Sequence, residues 1–299
     1  MRIEVSMMRQ KEKVHWTFMK VVLLVGLIAY TICLFLPIIW GIITSFKGQS
    51  DFRINVIGLP KEWIWNYSQV YEQFVIPIFT DAGTVHIQMS EMLINSLLYA
   101  VGCAFFSTLI PCITSYLCAR YDYLLSKIIY VIVIVTMILP IVGSLPSEIR
   151  MARAVGAFDH IWGMWLLKAN FLGLYFIVFY NQFKGIPNAY AESATIDGAG
   201  NWSILLRIML PLARNTFFTV MLIRFIEFWN DYQTPLIYLP TKPTISLGVY
   251  HMAYTTLNEL STIPMRMTAA VIAMVPIMIL FLCCHKRLLG NLTIGGIKG

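Results

Sequence analysis

Residues 187–211 read P-N-A-Y-A-E-S-A-T-I-D-G-A-G-N-W-S-I-L-L-R-I-M-L-P, a polar, small-residue stretch set between two apolar runs of membrane length. Pro187 suits a first helical position, where its missing N–H would have no partner in any case. Ala189, Ala191, Ser193 and Ala194 keep the helix that follows thin enough to approach another surface closely. Glu192 falls in its early turns, where a carboxylate complements the helix dipole. Asp197-Gly198 predicts a break, because glycine takes positive φ freely. Asn201 is then placed to cap a second short helix that runs to Leu210 and stops at Pro211. The stretch predicts a helix-turn-helix plug on a membrane surface, shaped to dock.

The rest of the chain supplies the membrane. Of its 299 residues, 58% are hydrophobic and 12% charged, with a mean hydropathy of +0.71. A soluble domain carries about twice that charge fraction, and several runs exceed the roughly 20 apolar residues that span a bilayer. The formal charge of +7 is no nucleic-acid footprint, because the basic residues cluster beside the ends of apolar runs. Six cysteines lie in or next to those runs without metal-ligand spacing and read as small buried residues.

The runs predict about six spans, near Val21–Ser45, Met92–Leu117, from Ile128 to an interruption at Pro140 and Gly143, Ile161–Phe183, Asn215–Tyr238 and Met267–Cys284. Pro111 is expected to kink the second. The aromatic-rich polar segment from Lys47 to Glu91 is expected to form an external cap. Lys and Arg are more numerous on the side that carries residues 1–20, the docking stretch and residues 285–299, which places both termini in the cytoplasm. The domain reading is therefore a tail over 1–20, a membrane domain over 21–284 with the docking loop at 187–211, and a tail over 285–299.

No G-x-x-x-x-G-K-[ST] loop, H-E-x-x-H helix or G-x-S-x-G elbow occurs, so neither catalytic residues nor a metal site are expected. The fifth span does carry charge. Arg224, Glu227 and Asp231 fall within about 60° of one another on an ideal helix, with Trp229 opposite and Asn230 on a flank. Charges at that depth are costly unless paired or facing water. Pairing of Arg224 with Glu227 and a polar wall of a solute path both satisfy that constraint. Lys168 and Asn170 in the fourth span form a second polar island, facing a hydrated path or snorkelling to the interface.

Glu192, Ala194, Gly198, Ile208, Leu210 and Pro211 match in order and spacing the E-A-A-x-x-x-G-x9-I-x-L-P loop that the chain shares, by resemblance, with binding-protein-dependent ABC importer permeases; Ser193 stands where the second residue is alanine. Trp229-Asn230-Asp231 resembles the W-N-[DE] signature of carbohydrate permeases. The end of the chain, with Thr293, Gly295, Gly296, Lys298 and Gly299, is similar to the G-L-T-x-G-[AG]-V-K-G tail of the smaller membrane subunit of maltose-type importers, with Asn291 inserted and Ile297 for valine.

The resemblance implies an all-α polytopic protein of the type I importer fold, whose loop is a coupling helix seated in an ATP-hydrolysing subunit. It also implies a second permease, two ATP-binding subunits that use ATP and magnesium, a tail reaching between them, and an extracellular solute-binding protein. This chain would bind no cofactor itself and would sit in a bacterial inner membrane, surrounded by lipid. A glycerol phosphate or polyol permease and an ion-coupled transporter using Glu227 or Asp231 are the competing readings; an intramembrane enzyme would need a nucleophile and base at a common depth, whereas His160, His251 and His285 lie near predicted span ends.

Overall fold

A computed structural model describes residues 18–80, 83–139, 143–254 and 262–292. Helix α1 (Phe18–Ser45) leads the chain. Nearly all of its first five turns stay exposed although they are apolar. Such a surface is stable only against lipid, where the helix satisfies its own backbone. Two short helices, α2 (Gln49–Ile54) and α3 (Asn66–Gln73), follow. Next comes a hairpin of β1 (Val75–Thr80) and β2 (Gly83–Gln88), paired antiparallel from Val75 with Gln88 to Thr80 with Gly83. The hairpin is a small two-stranded element in an otherwise helical chain. Val-Ile-Pro-Ile alternating with Val-His-Ile gives one buried edge, at Ile76, Ile78 and Ile87, under an otherwise exposed ribbon.

The bundle is built on α4 (Met89–Arg120), which passes through Pro111 without ending. Many of its buried positions are small, among them Ala100, Gly102, Cys103, Ala104, Ser107, Thr108, Cys112, Ser115 and Ala119, with Met89, Met92, Tyr99 and Tyr116 as the large exceptions. Small residues let helix backbones approach closely where no water is present to drive association. Around α4 stand α5 (Leu124–Ile138), α6 (Leu145–Ala154), α7 (Ile161–Lys168) and α8 (Leu174–Lys184). The expected fourth span is thus two helices, broken at 169–173 where Gly173 sits at φ 110°. Close packing seats α7 against α4. The Trp165 indole lies over Gly102, where any Cβ would overlap it, and its Nε1 donates to the Leu98 carbonyl at 3.0 Å.

The docking stretch forms α9 (Ala189–Ile196) and α10 (Asn201–Ile204), joined through a π-helical turn at Leu205–Met209 to α11 (Leu210–Asn230). Two short helices, α12 (Gln233–Tyr238) and α13 (Ile245–Tyr254), and the long α14 (Ile263–Leu292) complete the order. Among the described residues four helices have the length and hydropathy to cross a membrane: Phe18–Ser45, Met89–Arg120, Asn201–Asn230 and Ile263–Cys284. The third and fourth expected spans are instead a 15-residue apolar helix, α5, and the α7/α8 pair.

Other expectations need correcting. Asn201 is not a cap, since Gly200 occupies that position, and Pro187 lies before the first turn of α9 rather than in it. Pro211 does not stop a helix. Its ring would clash with the carbonyl of Arg207 and its nitrogen cannot donate; the preceding π turn widens the ladder there, so one helix continues from Asn201 to Asn230. At the other end of the chain, α14 carries the backbone helix to Leu292, past the expected end of the sixth span. Cys103, Cys112 and Cys118 are buried as expected, but Cys33 and Cys283 are exposed.

Two packed zones result. One, at the far end from the docking stretch, gathers Tyr99, Met164, Phe225, Trp229, Tyr238, Leu239 and Ile245. The other lies beneath the docking stretch and gathers Cys112, Tyr116, Phe179, Phe183, Ala194, Ile204, Leu205 and Met209.

Candidate functional site: the docking loop and the fifth-span polar cluster

In the docking stretch, Ala194 is buried, and Ile204 and Leu205 point with it into the zone beneath. Glu192, Ser193, Gly198 and Pro211 are exposed, while Ile208 and Leu210 are partly buried. Gly198 has φ 82°, the left-handed turn predicted for it, and the Ala199 N–H returns to the Ala194 carbonyl at 2.9 Å to close the end of α9. Ser193 and Thr195 donate their hydroxyls to carbonyls of their own helix, at 2.8 Å each, so the helix surface carries few unmet polar groups. The outer surface adds three residues that pattern reading passed over: Tyr190 and Trp202, half or more exposed, and Ile196, 86% exposed. Isolated apolar residues outside any amphipathic stripe give no periodic signal, so only their exposure identifies them.

One side chain ties this loop to the bundle. Arg120, at the last turn of α4, donates through Nη2 to the Ile186 carbonyl at 2.8 Å and through Nη1 to the Asn188 Oδ1. The same Nη2 lies 3.8 Å from the Met209 sulfur in the π turn. Arg120 therefore clamps the entry to α9 and the exit from α10 to a single helix end. In the sequence it reads only as one more inner-side cation.

The fifth-span charges separate into two sets. Arg224 and Glu227 face each other on α11, with Nη1 to Oε2 at 3.0 Å, which realises the pairing alternative. Tyr175, at the start of α8, completes the group: its hydroxyl donates to Glu227 Oε1 at 2.9 Å, and its ring lies under the Arg224 guanidinium at 4.4 Å. Side chains 26% and 46% exposed keep this pair at a surface rather than in the core. The break at 169–173 precedes Tyr175 and carries exposed Asn170, with half-buried Lys168 just before it. Lys168 falls in the last turn of α7, where a cation complements the helix dipole. Among the described residues no carboxylate lies within ion-pair distance of it.

Asp231 does not share the face of Arg224 and Glu227. The helix ends at Asn230, and Asp231 is extended at φ −72°, ψ 114°. Its Oδ2 accepts from the buried Tyr99 hydroxyl at 2.8 Å, and its Oδ1 accepts from the Thr234 N–H at 3.0 Å at the start of α12. Trp229 is buried: its Nε1 donates to the Ala273 carbonyl of α14 at 3.0 Å, and its own carbonyl accepts from Ser246 Oγ. Trp229 and the partly buried Asp231 thus both bond within the protein. Asn230 is exposed, its amide donating to the Ile226 carbonyl at 2.9 Å. Just beyond it, Tyr232 stacks on Tyr250 of α13 at 4.5 Å, and Tyr250 meets the exposed Tyr254 at 4.7 Å. That aromatic surface was missed because its members lie far apart along the chain. The tail residues Thr293, Gly295, Gly296, Lys298 and Gly299 lie outside the described residues.

Residues 112–291 match the family described as binding-protein-dependent transport system inner membrane component. The chain belongs to that family. The matched region contains the docking stretch, α11 and most of α14. The permease is 24% identical over 275 residues to the diacetylchitobiose uptake system permease protein NgcG of Streptomyces coelicolor, covering 90% of this chain and 86% of that one. It is 25% identical to the melibiose/raffinose/stachyose import permease protein MelC of Bacillus subtilis, covering 89% and 92%. Its fold superposes with a TM-score of 0.75 on a chain of a bacterial ABC transporter involved in import of the acidic polysaccharide alginate, at 21% identity and covering 91% and 98%. The architecture is that of the importer permeases, in a multi-pass membrane chain.

Proposed function

We propose that this permease is a membrane-spanning subunit of an ATP-driven importer that passes a carbohydrate handed over by an extracellular solute-binding protein. The supporting observation is the docking loop. Its inner side is locked to α4 and α8 through Ala194, Ile204, Leu205 and the Arg120 clamp, while its outer side offers Tyr190, Glu192, Ile196 and Trp202. A helix held rigidly from below and open above transmits displacement, so a partner that moves α9 moves the ends of α4 and α8 with it. In this reading two ATP-binding subunits use ATP and magnesium, one of them seats α9, and a second permease completes the membrane dimer. The loop end and both termini face the cytoplasm of a bacterial inner membrane, and the chain itself binds no cofactor.

The carbohydrate assignment draws on the relatives, which are named as permeases for diacetylchitobiose and for melibiose, raffinose and stachyose. The solute-binding partner draws on the family description and on a second structure of the alginate transporter, in complex with a pentasaccharide-bound periplasmic protein. Arg224, Glu227 and Tyr175 form the polar wall of the path, with Lys168, Asn170 and Asn230 as further hydrogen-bonding groups. The Tyr232–Tyr250–Tyr254 stack takes the place of Trp229 as the aromatic platform. Both carboxylates considered for ion coupling are already engaged, Glu227 by Arg224 and Tyr175, Asp231 by Tyr99 and Thr234.

The test is a mild-detergent pull-down of the tagged chain beside Glu192→Lys. Glu192 is exposed, so charge reversal leaves the fold intact. Wild type should bring down a P-loop ATPase and a second permease, and the variant should lose the ATPase while retaining the permease. A wild-type chain that purifies alone would falsify the proposal.

A further inference from the structure

Beside the docking loop, and separate from the α8/α11 polar cluster, the structure holds a cleft of about 530 Å³ lined by Arg120, Asp122, Ser126, Lys127, Tyr180 and Lys184, among others. It opens where the end of α4, the start of α5 and the end of α8 meet. Its charge is unbalanced, with three cations facing one carboxylate. Asp122 is taken by Lys127, at 3.1 Å. Arg120 donates only to uncharged acceptors, the Ile186 carbonyl and the Asn188 amide oxygen. Its Nε is buried without a hydrogen-bond partner. Lys184 makes no ion pair among the described residues and lies 5.7 Å from the centre of the Tyr180 ring.

One wall of the cleft continues into an apolar strip. Leu124, Leu125, Ile128 and Val131 of α5 are 45–75% exposed, and Val131 also lines the cleft. Cations and a hydroxyl at the mouth, with an exposed apolar strip running away along a membrane helix, match one shape of ligand: an anionic group attached to hydrocarbon. Juxtamembrane Lys and Arg attract anionic headgroups at about 1 kcal/mol per charge, or about fivefold in affinity.

We propose that this cleft binds the phosphodiester of an anionic phospholipid, with Lys184, Lys127 and Ser126 on the headgroup and the outer face of α5 along an acyl chain. An occupant would lie against Arg120, the side chain that clamps the docking loop, so the lipid would brace the loop that the partner moves. The proposal adds a ligand site to the permease and does not depend on which solute is carried.

The experiment equilibrates the full chain, with the subunits that co-purify with it, against phosphatidylglycerol or phosphatidylcholine in detergent. Retained lipid is then counted by native mass spectrometry. Wild type should retain phosphatidylglycerol in preference to phosphatidylcholine. Lys184→Gln should weaken that retention about fivefold, and Lys127→Gln with Lys184→Gln should weaken it further. Lys61→Gln, on the distant α2–α3 connection, should leave it unchanged. Equal retention of both lipids, or no loss in the Lys184 variant, would overturn the proposal. Displacement of the lipid by free glycerol 3-phosphate would also overturn it, reassigning the cleft to a soluble phosphate ester. A zero-length cross-link from Lys184 to a carboxylate of a co-purifying subunit would overturn it as well, making the cleft a protein contact. Uptake activity of the same preparation reports on the transport function separately.

Discussion

The docking loop and the fifth-span cluster are both polar segments in an apolar chain, yet their side chains end up doing opposite things. In the loop the motif residues Glu192, Ser193 and Gly198 stay at the surface, and the bundle reaches up to hold the backbone from below through Arg120 and Ala194. In the cluster, two of the three signature residues are drawn inward: Trp229 packs on α14 and Asp231 is captured by Tyr99. A surface motif keeps its chemistry for a partner, because water already satisfies its polar groups. A motif inside the bundle is first claimed by the nearest buried donors, since leaving those unpaired costs about 1–3 kcal/mol each.

The comparison breaks most visibly at Asp231. Asp231→Ala leaves the buried Tyr99 hydroxyl and the Thr234 N–H without their acceptor, so the solubilised protein should lose about 1–3 kcal/mol of stability. Asp231→Asn, which keeps an acceptor oxygen, should lose less. If uptake falls in both variants while their melting temperatures match wild type, Asp231 belongs to the path after all. Gly198→Val comes next. A β-branched residue at φ 82° costs about 1–2 kcal/mol, and it should lower ATP-coupled uptake by distorting the turn while the bundle stays folded. Uptake at wild-type level would detach the turn from coupling.

Glu227→Gln should scarcely move stability, because a half-exposed pair contributes under about 1 kcal/mol. It should raise the KM for uptake by removing the negative charge that Arg224 and Tyr175 share, although the amide oxygen can still accept from one of them. An unchanged KM would reduce the cluster to a structural pair.

The smallest effect concerns His251 on α13. Burial lowers its pKa below the ordinary 6.5, so folding favours the neutral ring. The unfolded chain then takes up the proton first, and stability present above pH 6.5 is lost as the pH falls through that value toward the folded pKa. A thermal melt should show this acid-side slope, and His251→Gln should flatten it. An identical slope in the variant would place the titration on another group.

Much of this architecture is readable from composition and spacing. Membrane-length runs, the punctuation at Asp197-Gly198 and the polarity of residues 187–211 depend on local properties: transfer of apolar side chains into lipid, and the freedom of glycine at positive φ. For the same reason the sequence by itself determined a multi-pass chain with a structured loop at one end, and placed Gly198 correctly. It also marked Arg224 and Glu227 as neighbours, because residues three apart share a helix face.

Other features depend on contacts between residues distant along the chain. Pattern reading keeps Ile161–Phe183 as one span because its hydropathy is continuous; in the fold the chain turns at Gly173, at φ 110°, and the fit of Trp165 over Gly102 seats α7 on α4. It extended the fifth helix through Asp231 because nothing local ends it; the Tyr99 hydroxyl and the Thr234 N–H together hold that residue outside the helix. It ended a helix at Pro211 because proline usually does so, whereas the π turn absorbed it. Arg120, Tyr175 and the Tyr232–Tyr250 stack acquired their places from helices that meet only in the folded bundle. Local sequence determines which elements form and where they can turn. Tertiary packing decides which polar groups are spent inside the protein and which remain for a partner, because each buried donor or acceptor must be satisfied by whatever the fold brings within about 3 Å.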